Sequence, residues 1–290
     1  NQQGFITIYS LLDNVDEKIN IYIIFDESNF DSYIPDEIKS HKNLGNITIK
    51  KFEPNNYFYN ISNAHVSNAT FYRLYLDEFF KNELEEIIYL DADIVCINNP
   101  VPSLKKSIKK MKEGGFNFAF ADEVYRDVSD EPFKRLSMSN DKYFNAGVMI
   151  ANLNYWKKEK LTSKSLLLVD KIKEKAKFWD QDILNSIIDG DYFSLDKSLN
   201  FRTYGGKYKK RNKKEITFIH YSGKSKPWDV GGVFEDLAME YHYFYKKLTN
   251  KTFHVVVKNR KNSLRKLYKN LEFHNEIKIR KLFFYILKSI

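Results

Sequence analysis

An apolar run, Ile87 to Leu90, is cut by two carboxylates one residue apart, Asp91 and Asp93, and resumes at Ile94. A short apolar run of this kind reads as a buried strand of an α/β sheet. In open sheets of that class, ligands sit beyond the carboxyl ends of the strands. The aspartates are therefore expected at the rim rather than in the core. In extended chain, residues i and i+2 project to one side, so both carboxylates can face a single ion. Hard oxygen donors suit Mg2+ or Mn2+, ions that keep open positions for substrate phosphates. Taken alone, Asp-x-Asp is also what two solvated loop aspartates look like.

The surrounding pattern alternates helix and strand. Phe5, Ile8, Leu11, Leu12 and Val15 share one helical face, and Ile19 to Phe25 then reads as a strand. A short helix is expected over Ile34 to Lys42, a strand over Asn46 to Phe52 and a helix over Ser67 to Lys81. A basic helix from Val101 to Met111 is broken by Gly114-Gly115 and followed by a strand, Phe116 to Phe120. Val124 to Asp141 reads as a polar loop over the rim, Tyr143 to Leu153 as a buried strand and Tyr155 to Lys175 as one long amphipathic helix. Short strands follow at Tyr192 to Leu195 and Ile216 to Ile219, with the basic run Lys207 to Lys214 as a solvated loop. This order predicts a mostly parallel sheet covered by helices.

The 290 residues are enough for one large core, and 29% charged with 43% hydrophobic residues is ordinary for a globular chain. One cysteine, Cys96, excludes a disulfide framework and any cysteine-based zinc cluster. Gly4 to Leu12 lacks the basic lead of a signal peptide, and no run reaches the length of a membrane span. The net charge of +9 is concentrated: Lys251 to Ile290 holds 11 basic and 2 acidic residues, which leaves 36 of each sign before it. A neutral body with a basic tail argues against nucleic acid as the partner.

Several rim positions carry chemistry. Arg73 either pairs with Asp77 one turn on or reaches the rim carboxylates. Asp122 follows a strand as Asp91 does. Asn145-Ala146-Gly147 opens a buried strand with small residues that permit close approach of a ligand. Of Asp180 and Asp182, one is expected to serve the first turn of a helix, and Gln181 between them answers no capping need. His220 stands at a strand end before Tyr221-Ser222-Gly223-Lys224-Ser225-Lys226-Pro227-Trp228. Its imidazole can complete a carboxylate metal site, and Lys226 can meet phosphate.

Strand–Asp91-Ala92-Asp93, Phe144-Asn145-Ala146-Gly147-Val148, Asp180-Gln181-Asp182 and His220 to Trp228, in this order, resemble the signature of family 8 glycosyltransferases. The resemblance covers roughly residues 1 to 245 and implies a Rossmann-like GT-A fold and a retaining hexosyltransferase. Bacterial lipopolysaccharide galactosyl- and glucosyltransferases and glycogenin belong to that family. It implies that Asp91, Asp93 and His220 ligate Mn2+, with Mg2+ as the other candidate, on the diphosphate of a UDP-sugar. Arg73, Ala92, Asn145, Asp180, Gln181, Gly223 and Lys226 would line the donor site, and Asp122 would lie near the acceptor. Asp180 and Gln181 are the catalytic candidates. Front-face attack with Gln181 as stabiliser is expected, Asp180 being the alternative nucleophile. The family opens with a strand before its first helix, and these residues start at that helix. A catalytically silent GT-A-shaped adaptor is the competing expectation.

Residues 1–248 are thus expected to form the GT-A domain and residues 249–290 a basic amphipathic helical tail. Basic residues beside Leu264, Leu267, Phe283, Phe284 and Ile286 suit an interfacial helix on anionic lipid. Packing on its own domain or on a second subunit is the other reading. The resemblance, taken with this tail, implies a bacterial protein in the cytoplasm, peripheral at the inner face of the cytoplasmic membrane, transferring galactose or glucose to a glycan or lipid-linked glycan.

Overall fold

The computed structural model describes residues 2–25, 33–52, 68–81, 84–123, 131–172, 174–203, 212–223, 226–229, 232–233 and 237–253. The basic run expected as a loop lies largely outside these residues, and so does nearly all of the expected tail.

Helix α1, Gln2–Asn14, leads into β1, Ile19–Phe25, which pairs in parallel with β2, Leu44–Lys51, across the short helix α2, Asp36–Lys39. Strand β3, Glu86–Leu90, and strand β4, Ile94–Cys96, are separated only by Asp91-Ala92-Asp93 yet lie in different sheets. Helix α4 spans Val101–Glu113, β5 Phe118–Asp122 and β6 Phe144–Asn152. Strand β7, Phe193–Ser194, completes a sheet ordered β3-β6-β5-β7. Strand β8, Phe201–Arg202, and strand β9, Phe218–His220, give a second sheet ordered β4-β9-β8.

The fold class is the expected mixed α/β arrangement, but its parallel share is smaller than the sequence pattern predicts. Strand β6 runs antiparallel to both β3 and β5, and β4 antiparallel to β9; β1–β2, β5–β7 and β8–β9 are parallel. The helix–strand alternation is blind to this, because periodicity reports burial and not strand direction. Strand β6 is the centre of the molecule, with Phe144 to Ala151 all buried.

Three further expectations are corrected. The segment 155–175 is not one helix: α6, Leu153–Lys158, and α7, Leu161–Ile172, meet at Lys160, whose φ of 51° is left-handed and breaks the helical ladder. The segment from Ser67 to Lys81 forms a 3-10 helix, Asn68–Tyr75, followed by one turn of α3, Leu76–Phe79. The described part of the 124–141 loop contains α5, Pro132–Arg135. Helix α8, Trp179–Ile188, and helix α9, Ala238–Thr249, are the remaining α-helices among the described residues.

Trp156, Phe118, Phe120, Phe144 and Tyr192 form the core beneath β3, β5 and β6. Ile6, Leu12, Ile219, Tyr241 and Phe244 join α1 and α9 across β9. The edge of β4 facing away from β9 is closed by α1. Ser10 Oγ accepts from Cys96 N at 3.0 Å, Asn14 Nδ2 donates to Cys96 O at 3.1 Å, and Thr7 Oγ1 donates to Ala92 O at 3.0 Å. These three side chains lie on one helical face, so backbone groups that would otherwise be orphaned are paired.

Candidate active site and metal centre

Asp91 and Asp93 do not lie in extended chain as predicted. They occupy the turn by which the chain leaves one sheet for the other, and the turn aims both carboxylates at the end of β9. Three candidate ligand atoms, one each from Asp91, Asp93 and His220, lie within 4.8 Å of one another. His220 Nε2 is 3.2 Å from Asp93 Oδ1 and 3.8 Å from Asp91 Oδ2. The ring is held from behind by Asn200 Oδ1, 2.9 Å from Nδ1. Asp93 Oδ1 is buried without a hydrogen-bond partner. A hard divalent ion fits this donor set of two carboxylates and one imidazole. The buried carboxylate oxygen without a donor is the group such an ion would satisfy.

Arg73, only 6% exposed, is the second anchor. Its guanidinium contacts Asp91 Oδ1 at 2.5 Å, Asp180 Oδ2 at 2.8 Å and the Ala146 carbonyl at 2.5 Å, and it stacks on the Tyr89 ring at 4.7 Å. Of the two readings of Arg73, the structure selects the rim; Asp77 instead accepts from the Thr162 hydroxyl. Lys226 Nζ donates to Asp93 Oδ2 and to the Tyr221 carbonyl. Three carboxylates, Asp91, Asp93 and Asp180, thus face two basic side chains, Arg73 and Lys226. Burial pushes the Asp180 carboxyl up, to about 7, against the opposing pull of Arg73 and with the help of Asp91. Geometry alone would make Asp180 an ordinary ion-pair carboxylate. Burial wins because the single charge of Arg73 is divided between two acids. Burial also raises Asp93, but His220 in its protonated form and Lys226 beside it overcome that and hold it well below the usual carboxylate range.

The Asn145-Ala146-Gly147 segment serves the protein rather than leaving open backbone for a ligand. The β5–β6 register slips there: Phe120 pairs with Met149, but Ala121 pairs with Asn145. Such a bulge frees backbone groups from the ladder. The Ala146 amide donates to Gln181 Oε1 at 3.2 Å, Gly147 O accepts from Asp91 N at 2.9 Å, and Gly147 N donates to Asn145 Oδ1 at 3.1 Å. The group that approaches Gly147 closely is the His220 ring.

Gln181 is held at both ends, its oxygen by Asn145 Nδ2 at 3.0 Å and its nitrogen by the Tyr143 hydroxyl at 3.1 Å. The two acids flanking it separate cleanly. Asp182 is fully buried and accepts from Arg135, Tyr143 and the amides of Lys177 and Phe178. It is the helix-start acid, reaching back over the first turn as capping carboxylates do. Asp180 points the other way, to Arg73. Trp179, at the start of this helix, has a φ of 37°.

Asp122 stands apart: its Oδ1 accepts from Tyr192 and Ser194 at 2.8 and 2.9 Å across β5 and β7. Ala92 lies in the turn with its carbonyl held by Thr7. Gly223 follows β9 with a φ of 86°, a conformation natural to glycine. Sequence reasoning missed Asn200, Tyr89, Tyr143 and the half-buried Glu123–Arg202 ion pair, whose Glu123 also receives Asn145 Nδ2 at 3.4 Å. Glu123 had a visible signal, as the acid directly after Asp122 at a strand end.

The sequence model of glycosyl transferase family 8 matches residues 4–231. The chain belongs to glycosyl transferase family 8. It is 30% identical over 183 residues to a lipopolysaccharide 1,2-glucosyltransferase of Escherichia coli, covering 58% of this chain and 51% of that protein. It is 28% identical over 183 residues to a lipopolysaccharide 1,3-galactosyltransferase of Salmonella typhimurium, covering 57% and 51%. The chain therefore spans about half the length of these relatives. The crystal structure of the galactosyltransferase LgtC with donor and acceptor sugar analogs superposes with a TM-score of 0.69 at 19% identity, over 90% of this chain and 95% of that one. At that identity the likeness is one of fold, and the fold is of the GT-A kind.

Proposed function

We propose that this family 8 chain is a metal-dependent, retaining hexosyltransferase. It would move galactose or glucose from a UDP-sugar to a hydroxyl of a glycan, in lipopolysaccharide or other surface-glycan synthesis. The observation that supports this most is the meeting of Asp91, Asp93 and His220 at one point, with Lys226 and Arg73 beside them. Asp91, Asp93 and His220 would hold Mn2+ or Mg2+. When bound, the ion would act as Lewis acid and template toward the leaving diphosphate. Lys226 would release Asp93 and offset charge that develops on the same oxygens.

Arg73, Ala92, Asn145, Asp180, Gln181 and Gly223 line the donor site in this reading, and Asp122 belongs to the acceptor side. Gln181, fixed through Asn145 and Tyr143, presents an oriented amide but no charge for covalent attack. Asp180 is committed to Arg73 and inclined toward its protonated form. Front-face attack with Gln181 as stabiliser suits these two environments better than a covalent intermediate on Asp180. Thr249 ends α9 and Phe253 packs in the core, so of residues 249–290 those after Phe253 would dock on anionic lipid at the inner face of the cytoplasmic membrane and bring a lipid-linked glycan within reach.

UDP release measured over a panel of UDP-sugars, with Mn2+ and with EDTA, tests the reading. Metal-dependent release from UDP-galactose or UDP-glucose is expected. Absence of both release and UDP binding would replace it with the silent adaptor.

A further inference from the structure

We infer that Asn200 is a positioning residue that fixes the tautomer of His220 and thereby its strength as a metal ligand; this rests on the metal reading above. Two groups of unambiguous polarity set the argument. The Gly147 backbone N–H can only donate, so the Asn145 atom 3.1 Å from it is the acceptor Oδ1. The Glu123 carboxylate accepts from the other end of the same amide at 3.4 Å, which makes that end Nδ2. Asn145 therefore has one orientation. The Asn200 atom 2.9 Å from Asn145 Oδ1 must then be its donor, Nδ2. This turns Asn200 Oδ1 toward His220 Nδ1, 2.9 Å away. An amide oxygen only accepts, so in the neutral ring Nδ1 carries the proton and Nε2 keeps its lone pair. Nε2 is the atom that faces Asp91 and Asp93. A lone pair set against two carboxylates is satisfied by a cation placed between the three.

Every member of this relay is buried: Asn145 is 7%, Asn200 5% and His220 4% exposed. Solvent therefore does not supply the contact if the amide is removed. Hydrogen bonds to the far nitrogen of a ligating imidazole raise its basicity and hold its plane, and their loss typically lowers metal affinity about 10–100-fold. Asn200 never touches the ion, and it sits in a 3-10 helix, Lys197–Asn200, before a two-residue strand.

The test uses the full chain stripped of metal, with Mn2+ as the probe and free Mn2+ followed by electron paramagnetic resonance. Asn200→Leu keeps the approximate volume without the acceptor, and Asn200→Asp keeps an acceptor. The expected result is Mn2+ affinity about 10–100-fold weaker for Asn200→Leu, with Asn200→Asp, which keeps the acceptor toward Nδ1 but loses the donor to Asn145 Oδ1, between the two. A second readout needs no variant at position 200. Ring 15N shifts of labelled histidine, with the His220 signals assigned by their loss in His220→Gln, should show the Nδ1–H tautomer for the neutral ring of the metal-free parent. Equal Mn2+ affinity in parent and Asn200→Leu, or an Nε2–H ring in the parent, overturns the inference and leaves the metal reading standing. A parent that takes up no Mn2+ overturns both.

Discussion

A β-carbon on Gly147 would stand 2.2 Å from Cε1 of His220 and 2.6 Å from its Nδ1. The glycine of β6 thus serves as the seat of an imidazole from another strand. No L side chain fits without moving that ring. Gly147→Ala should keep the fold, because β6 continues on both sides, but should tilt His220 away from Asp93. Mn2+ affinity is expected to fall at least about 10-fold, the range found when a ligating histidine loses its support. Titration of Mn2+ into the metal-free variant is the check, and parent-like affinity would show that the ring is not held there.

Arg73 joins Asp91, Asp180 and the Ala146 carbonyl, so its removal leaves one buried acid, Asp180, and one half-buried acid, Asp91, without their shared cation. Breaking buried pairs of this kind typically costs about 3–5 kcal/mol. Arg73→Gln should lower the urea midpoint sharply. Arg73→Lys should recover only part of the loss, since an ammonium does not span three acceptors in one plane.

Asp180 gives stability a pH dependence. Its folded carboxyl is raised to about 7 from 3.8. Within that window the folded chain holds a proton that the unfolded chain has lost, so stability is present at low pH and fades as pH rises toward the folded value. From pH 5 to 7.5, with metal removed, the loss from this group is about 2–3 kcal/mol. Asp180→Asn should flatten that part of the profile in parallel urea titrations. An identical slope in both proteins would mean that Asp180 is ionised throughout.

Asp182, with no exposed surface, accepts from Arg135, Tyr143 and two backbone amides. Asp182→Ala should destabilise by about 3 kcal/mol, since it leaves the half-buried Arg135, the Tyr143 hydroxyl and two backbone amides without their acceptor. Asp182→Asn should retain part of the network. Thermal unfolding distinguishes this scaffold role from a catalytic one, because the Asn variant should regain activity in step with its stability.

The sequence made Asp91, Asp93 and His220 legible because each ends or follows a short apolar strand, and strand ends share a rim. It also showed that one of Asp180 and Asp182 would serve the helix start, but not which. That choice depends on Arg73 and Arg135, which lie far off in the chain and approach α8 from different elements. Asn200 was hidden for the same reason: its partners His220 and Asn145 come from two different sheets, and no local pattern links them. Strand direction was hidden too, since alternation of helix and strand reads alike for β6 in either sense. The break at Lys160 left no glycine or proline as its mark.

Thr7, Ser10 and Asn14 close the outer edge of β4 with side-chain atoms. A neighbouring strand would have closed it with main chain, whatever its residues. Closure by hydroxyls and an amide is instead written into three codons, and each can be lost by a single substitution. Mutational tolerance along α1 should therefore be lopsided. Exchanges at its solvent-facing positions pass unnoticed, while Ser10→Ala or Asn14→Leu strands a backbone group of Cys96 beneath the helix, at about 1–3 kcal/mol.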